Sequence, residues 1–299
     1  MNGKAIHVSG YQNRVQNLAG IQERKNMASD PYLPERDYQR RSGEEWGWHT
    51  PTNTPSIGIP MSRGTGNAMI LPFPAIPGTM TRKNIISTAS CPHILEDMEK
   101  ALEKEEFFSP MRLMSLGIPR DRIEIFEHDI YTVVLAPYGA PIVDALADVP
   151  AEKRPPLNKH FFDGFTPLYA DWTFGLCCFN NKDAALAKPL LWWYEPMRPD
   201  LLFLPALDCH TGQVPDLKAY VEVDHTVAVS SDNMSRYAGT EVTYRDSIPY
   251  LIRPYIASRV IGMKMHTNLP NGDFVFRVSD IDKGKFDPRR LLPPGAQKE

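Results

Sequence analysis

Proline falls between nearly all the apolar runs of this 299-residue chain, 28 times in all. Each proline fixes φ and removes a backbone donor, so it ends helices and is kept out of central strands. Such a chain can build many short elements joined by stiff turns. A bundle of long helices is excluded.

The length admits one large domain or two small ones. With 33 basic against 36 acidic side chains and a formal charge of −3, the chain has no global attraction for nucleic acid or an anionic membrane. No apolar run approaches the ~20 residues of a spanning helix. The opening MNGKAIHVSGYQNRVQNLAG lacks the apolar stretch of a secretory signal, so a cytoplasmic address is expected. Cys91, Cys177, Cys178 and Cys209 show no CxxC spacing. Buried, reduced thiols are expected, with Cys177 and Cys178 on opposite faces of a strand.

Residues 1–66 read as an extended, partly ordered arm. Asp30-Pro31, Leu33-Pro34, Thr50-Pro51 and Thr54-Pro55 interrupt any helix there. Tyr32, Tyr38, Trp46 and Trp48, a set interleaved with Arg36, Arg40 and Arg41, are costly to leave in water and suit docking, either on the body or on a second copy. Residues 67–282 read as a single α+β domain, and residues 283–299 as a Pro-rich tail. A helix is expected from Pro92 to about Phe107, with Ser90 as cap and Ile94, Leu95, Met98, Ala101 and Leu102 on one face. A second, short helix is expected from Pro141 to Asp148. Residues 150–160 read as an exposed loop.

From residue 168 onward the pattern is nearly all β. Trp172, Phe174, Leu176 and Cys178 alternate onto one face, whereas Pro189–Tyr194 is continuously apolar. A strand there is buried on both sides or packed at an interface, which makes Trp192 and Trp193 candidate interaction residues. Asn271-Gly272 predicts a tight hairpin between the strands around 258–266 and 274–280. The fold expected is α+β: a mainly antiparallel β-sheet, as a sandwich or open barrel, with one or two helices early in the domain.

The stretch Leu201–Ser230 has the longest period-two pattern and predicts a second hairpin, with position 210 facing position 220. In that register Val221, Val223, Val227 and Val229 point to the core. Asp208, His210, Glu222 and Asp224 take the polar face. Asp208, His210 and Glu222 then form a candidate ligand set for a divalent metal, with His266 or Asp224 behind it. His128, flanked by Glu127 and Asp129, is read as part of an exposed turn, where the two acids would raise its pKa. No nucleophile elbow, P-loop, dinucleotide fingerprint or HExxH occurs. The function expected is therefore association, through the aromatic arm and a β-rich body, with self-association or a protein partner. A metal-dependent enzyme or metal-binding sheet at Asp208, His210 and Glu222 is the alternative, and no other cofactor is expected.

Overall fold

The computed structural model describes residues 7–11, 66–103, 122–139, 142–209 and 212–298. In chain order they form β1 (His7–Tyr11), β2 (Gly66–Phe73), β3 (Ile85–Ile86), α1 (Ile94–Ala101), β4 (Glu124–His128), β5 (Tyr131–Ala136), α2 (Ile142–Ala145) and α3 (Lys159–Phe165). The order continues with β6 (Thr173–Asn180), β7 (Leu190–Tyr194), β8 (Leu201–Leu204), β9 (Tyr220–Val229), β10 (Thr240–Glu241), β11 (Arg259–Pro270), β12 (Asp273–Arg277), α4 (Val278–Ile281) and β13 (Arg290–Leu291). The expected α+β chain of mainly antiparallel sheet is present, and the ladders between named strands are all antiparallel.

The central sheet runs β2-β6-β5-β4. Alternation along its strands sends neighbouring side chains into two cores. On one face Ala68, Ile70, Val134, Phe174, Leu176 and Cys178 meet Ile142 of α2 and Phe161, Phe162 and Phe165 of α3. On the other, Met69, Leu71, Phe73, Val133 and Cys177 meet Leu190, Trp192 and Tyr194 of β7. Cys177 and Cys178 thus lie on opposite faces, and all four cysteines are free and buried. Strand β7 is the middle of the sheet β1-β7-β3. Its even-numbered residues fill the core just described, while Leu191 and Trp193 pack with Ile94 and Leu95 of α1 and with Ile248, Ile252 and Tyr255. Burial on both sides is what the uninterrupted apolar run demanded.

Two short ladders complete the body. The sheet β13-β12-β8 places Phe203 and Val275 against the α2–α3 core. Phe274, Phe276, Leu202 and Leu204 point the other way, toward Val223, Val227, Val229 and Met265 of the β9–β11 ribbon. That ribbon presents its apolar face inward, as the alternation required.

Both predicted hairpins are corrected. Strand β9 pairs with β11, with Asp224 opposite His266, and β8 pairs with β12, with Phe203 opposite Val275. The faces of β9 follow the pattern, but its partner does not. Alternating apolar residues on β11 (Ile261, Met265, Leu269) satisfy the same face as the Leu201–Cys209 run over a longer ladder. Asn271-Gly272 makes no tight hairpin either, because neither residue takes the positive φ that a type I′ turn requires. The chain crosses from one sheet to another at this corner, with backbone passing so close that a Cβ on Gly272 would lie 2.2 Å from the Leu291 carbonyl oxygen. A tight hairpin does form between β4 and β5, where Asp129 takes φ 51 between the paired residues His128 and Tyr131.

The helices differ in detail from expectation. In α1, the residue flanking the first turn is His93, and its N–H donates to Asp246 Oδ2 (3.1 Å) rather than finding a cap in Ser90. Its inward face carries Asp97 beside Ile94 and Ala101, and Asp97 is neutralised by Arg245. The expected continuation past residue 103 lies outside the described residues. Helix α3, unforeseen, is only seven residues long and is capped by Asn158, whose side chain accepts from Phe161 N (3.1 Å).

Candidate functional site

Among the described residues, polar side chains gather on the outer face of the β9–β11 ribbon, at the start of α1 and at the corner between β11 and β12. On the ribbon, Glu222, Asp224 and Thr226 share one face with Asn268, His266 and Lys264 across the ladder. Helix α1 lies over part of this face, and Glu99 reaches down to accept from Thr226 Oγ1 (2.9 Å) and to meet Lys264 Nζ at 3.6 Å. Beyond the helix, His266 Nδ1 stands 3.0 Å from Asp224 Oδ1. Burial raises the Asp224 carboxyl, with Glu222 adding to the effect, while His266 and Lys264 oppose it.

A second carboxylate–imidazole pair sits at the start of α1. Asp246 Oδ2 lies 3.0 Å from His93 Nδ1 and also accepts the His93 N–H. Burial alone would raise Asp246, but these bonds from His93 hold it below the ordinary carboxylate value. Cys91 nearby is buried, and that burial pushes its thiol up, away from a nucleophilic thiolate. In each pair the carboxylate holds the imidazole through its Nδ1.

At the corner the polar groups face inward. Asp273 Oδ1 accepts from Ala206 N (2.8 Å) and Leu207 N (3.1 Å), and Oδ2 accepts from Tyr169 Oη (2.8 Å). Asn271 Oδ1 accepts from Asp208 N (2.8 Å), while its Nδ2 donates to the Asp208 and Asp216 carbonyls (3.2 and 3.0 Å). Arg290 Nε donates to the Gly272 carbonyl (2.6 Å). Burial pushes the Asp273 carboxyl up to about 6, against the pull of its donors and Arg290, and drives Tyr169 well above its ordinary value. The same burial lowers Arg290 to about 10.

This lock holds residues 206–208 at the corner, and the pairing expected to set Glu222 across from Asp208 is not made. Asp208 is on the captured loop, Glu222 is opposite Asn268 on β9, and His210 lies outside the described residues. Among the described residues no group of three or more His, Cys, Asp or Glu is placed to hold a metal ion. Cys209, next to His210 in sequence, is buried in the α2–α3 core with its thiol driven well above the ordinary range. His128 moves opposite to expectation: burial lowers its pKa, outweighing Asp129.

Of the four tryptophans expected at an interface, Trp46 and Trp48 lie outside the described residues. Trp192 is fully buried against Phe73, ring centroids 5.4 Å apart, so its indole is core and offers no docking surface. Trp193 is half-buried, stacks on Tyr255 at 6.1 Å and donates from Nε1 to the Lys83 carbonyl. The residues missed were Asn271, Asp273 and Asp246. Asn-Gly-Asp is compositionally a turn, and nothing in its local pattern marks two of those side chains as buried.

Among the described residues no helix is long and apolar enough to cross a membrane. No family model matches the chain, and no curated protein or solved structure matches it.

Proposed function

We propose that this protein works by association, as a cytoplasmic assembly or interaction protein whose arm, residues 1–66, docks onto a β-rich sandwich or open barrel. The observation that carries this reading is β1. A five-residue piece of the arm already lies antiparallel on β7, in register from His7 opposite Tyr194 to Tyr11 opposite Leu190. An extended segment adding a strand to a sheet is a general mode of protein recognition. Large side chains left in water support the same reading: Tyr220, Tyr250 and Leu251 are 74%, 79% and 81% exposed. The partner in this reading is another copy or another protein, not a membrane or nucleic acid.

The alternative, a divalent metal held by Asp208, His210 and Glu222, has lost its main support, because Glu222 now has Asn268 across the ladder. Measuring the mass of the full chain beside one starting at Asn67, and beside a full-length Trp46→Ser/Trp48→Ser variant, tests the association reading. A multimer that falls to monomer in both altered forms is expected. A monomeric mass for all three removes self-association, the main support of this reading.

A further inference from the structure

We propose that Asn271-Gly272 is a self-modification site, held unreactive by the closed β11–β12 corner and lost to deamidation when that corner opens. The chemistry needs no second protein. The Gly272 nitrogen attacks Asn271 Cγ, forming the N–Cγ bond and giving up its proton. The Cγ–Nδ2 bond breaks, and Nδ2 leaves as ammonia with that proton. Water then opens the cyclic imide at either carbonyl, which leaves aspartate or isoaspartate at position 271. Glycine has no Cβ to shield its nitrogen, so this ring closes more readily at Asn-Gly than where a side chain follows.

Both residues are required by the fold. Gly272 is needed because an added Cβ would lie 2.2 Å from the Leu291 carbonyl oxygen. Asn271 is needed because one side chain must accept from Asp208 N and also donate to the Asp208 and Asp216 carbonyls. The corner thus places a labile pair in the interior, with Asn271 only 3% exposed, and the same contacts restrain it. Ring closure requires the side-chain amide to swing back over its own main chain and give up all three bonds. That main chain is clamped on both sides. The Asn271 N–H donates to the Ala219 carbonyl (2.9 Å), and the Gly272 carbonyl accepts from Arg290 Nε (2.6 Å). Reaction is blocked while the corner is closed, so its rate follows the fraction of time the corner is open.

Closing again does not undo the change. Aspartate at position 271 sets a carboxylate oxygen where Nδ2 was, acceptor against acceptor with the Asp208 and Asp216 carbonyls. Isoaspartate adds a carbon to the main chain where Gly272 is already tight against Leu291. Either product weakens the hold on residues 206–208, and a transient opening becomes a permanent one.

The test follows the full-length chain at neutral pH, folded and in denaturing guanidinium chloride, with the peptide carrying residue 271 read by mass and by isoaspartate content. Deamidation there should be at least about tenfold slower in the folded chain. Tyr169→Phe removes only the hydroxyl that donates to Asp273 Oδ2, which in turn holds Ala206 N and Leu207 N beside Asp208. It should speed the folded reaction severalfold. If that variant does not fold, guanidinium chloride below the native chain's unfolding transition should give the same acceleration. Deamidated chain, separated by its added charge, should unfold at lower denaturant than unmodified chain. Equal rates in the folded and unfolded chain would overturn the protection. A folded rate that neither Tyr169→Phe nor dilute denaturant changes would show that opening of the corner does not control the reaction. Equal stability of modified and unmodified chain would overturn the permanence.

Discussion

The four-stranded sheet and the β11–β12 corner are both interior, yet different forces shape them. Strands β2, β5 and β6 bury side chains on both faces, and what specifies them is alternation and volume. At the corner, Asn271, Asp273 and Tyr169 hold the backbone of residues 206–208 through directional bonds. Burial of apolar area is non-directional and indifferent to pH. A buried hydrogen-bonded carboxylate is neither. The first region should fail by losing volume and the second by losing a partner or a proton.

The largest loss is expected in the apolar region. Trp192→Ala removes a fully buried indole packed on Phe73 and should cost about 4–5 kcal/mol by denaturant unfolding. A loss under about 1 kcal/mol would show that this core does not depend on filling its volume. Next comes Asn271→Ala, which strips partners from Asp208 N and from the Asp208 and Asp216 carbonyls. About 3–4 kcal/mol is expected, since each buried group left unpaired costs about 1–3 kcal/mol. Asn271→Asp keeps the acceptor for Asp208 N and loses both donated bonds, so it should fall between. If alanine and aspartate behave alike, the bond accepted from Asp208 N contributes nothing and that part of the lock is misassigned.

These two regions also mark how far the sequence could be read. Alternation in Trp172–Cys178 and the unbroken run Pro189–Tyr194 gave the strands and their buried faces, because burial leaves a period-two signature. The same pattern told which face of β9 is apolar without telling which strand lies beside it. Two candidate partners satisfied it, and the choice was made by Asn271 and Asp273, whose burial leaves no periodic trace. The proposed ligand set at Asp208, His210 and Glu222 inherited that ambiguity. Helix α3 went unread because seven residues hold too few turns to show a 3.6-residue period, and its capping Asn158 sat inside what looked like loop.

A third effect, smaller than either substitution, separates the regions by pH. Asp273 rises from 3.8 to about 6 in the folded protein because burial disfavours its charge. A raised folded value means the folded state holds the proton more tightly. This group's contribution is therefore complete below about pH 4 and is lost as pH rises through about 6. Linkage puts the difference at about 2–3 kcal/mol. Asp273→Asn should flatten the stability profile across that interval, whereas Leu176→Ala in the sheet should lower the profile without changing its slope. Equal slopes for the native chain and Asp273→Asn would remove the corner's titratable character.

The smallest effect expected concerns β1, which combines both kinds of interior. Its ladder onto β7 is directional, and its seat is apolar, between Leu191 and Leu95 at Gly10 and against Tyr194 at His7. Burial lowers the His7 pKa from 6.5, outweighing the Pro199 backbone and Asp200, which favour the charged ring. The docked strand thus carries a neutral imidazole. Acid charges it more readily in the undocked strand, so docking weakens as pH falls through the ordinary histidine value. Amide exchange along residues 7–11 and 190–194, compared at about pH 7.5 and about pH 5.5, should show selective loss of protection at the lower value. His7→Phe should abolish that selectivity, because a ring that cannot be charged feels no penalty in the same seat. Protection that falls equally in the native and His7→Phe chains would assign the acid response to another group and leave the strand held by its ladder alone.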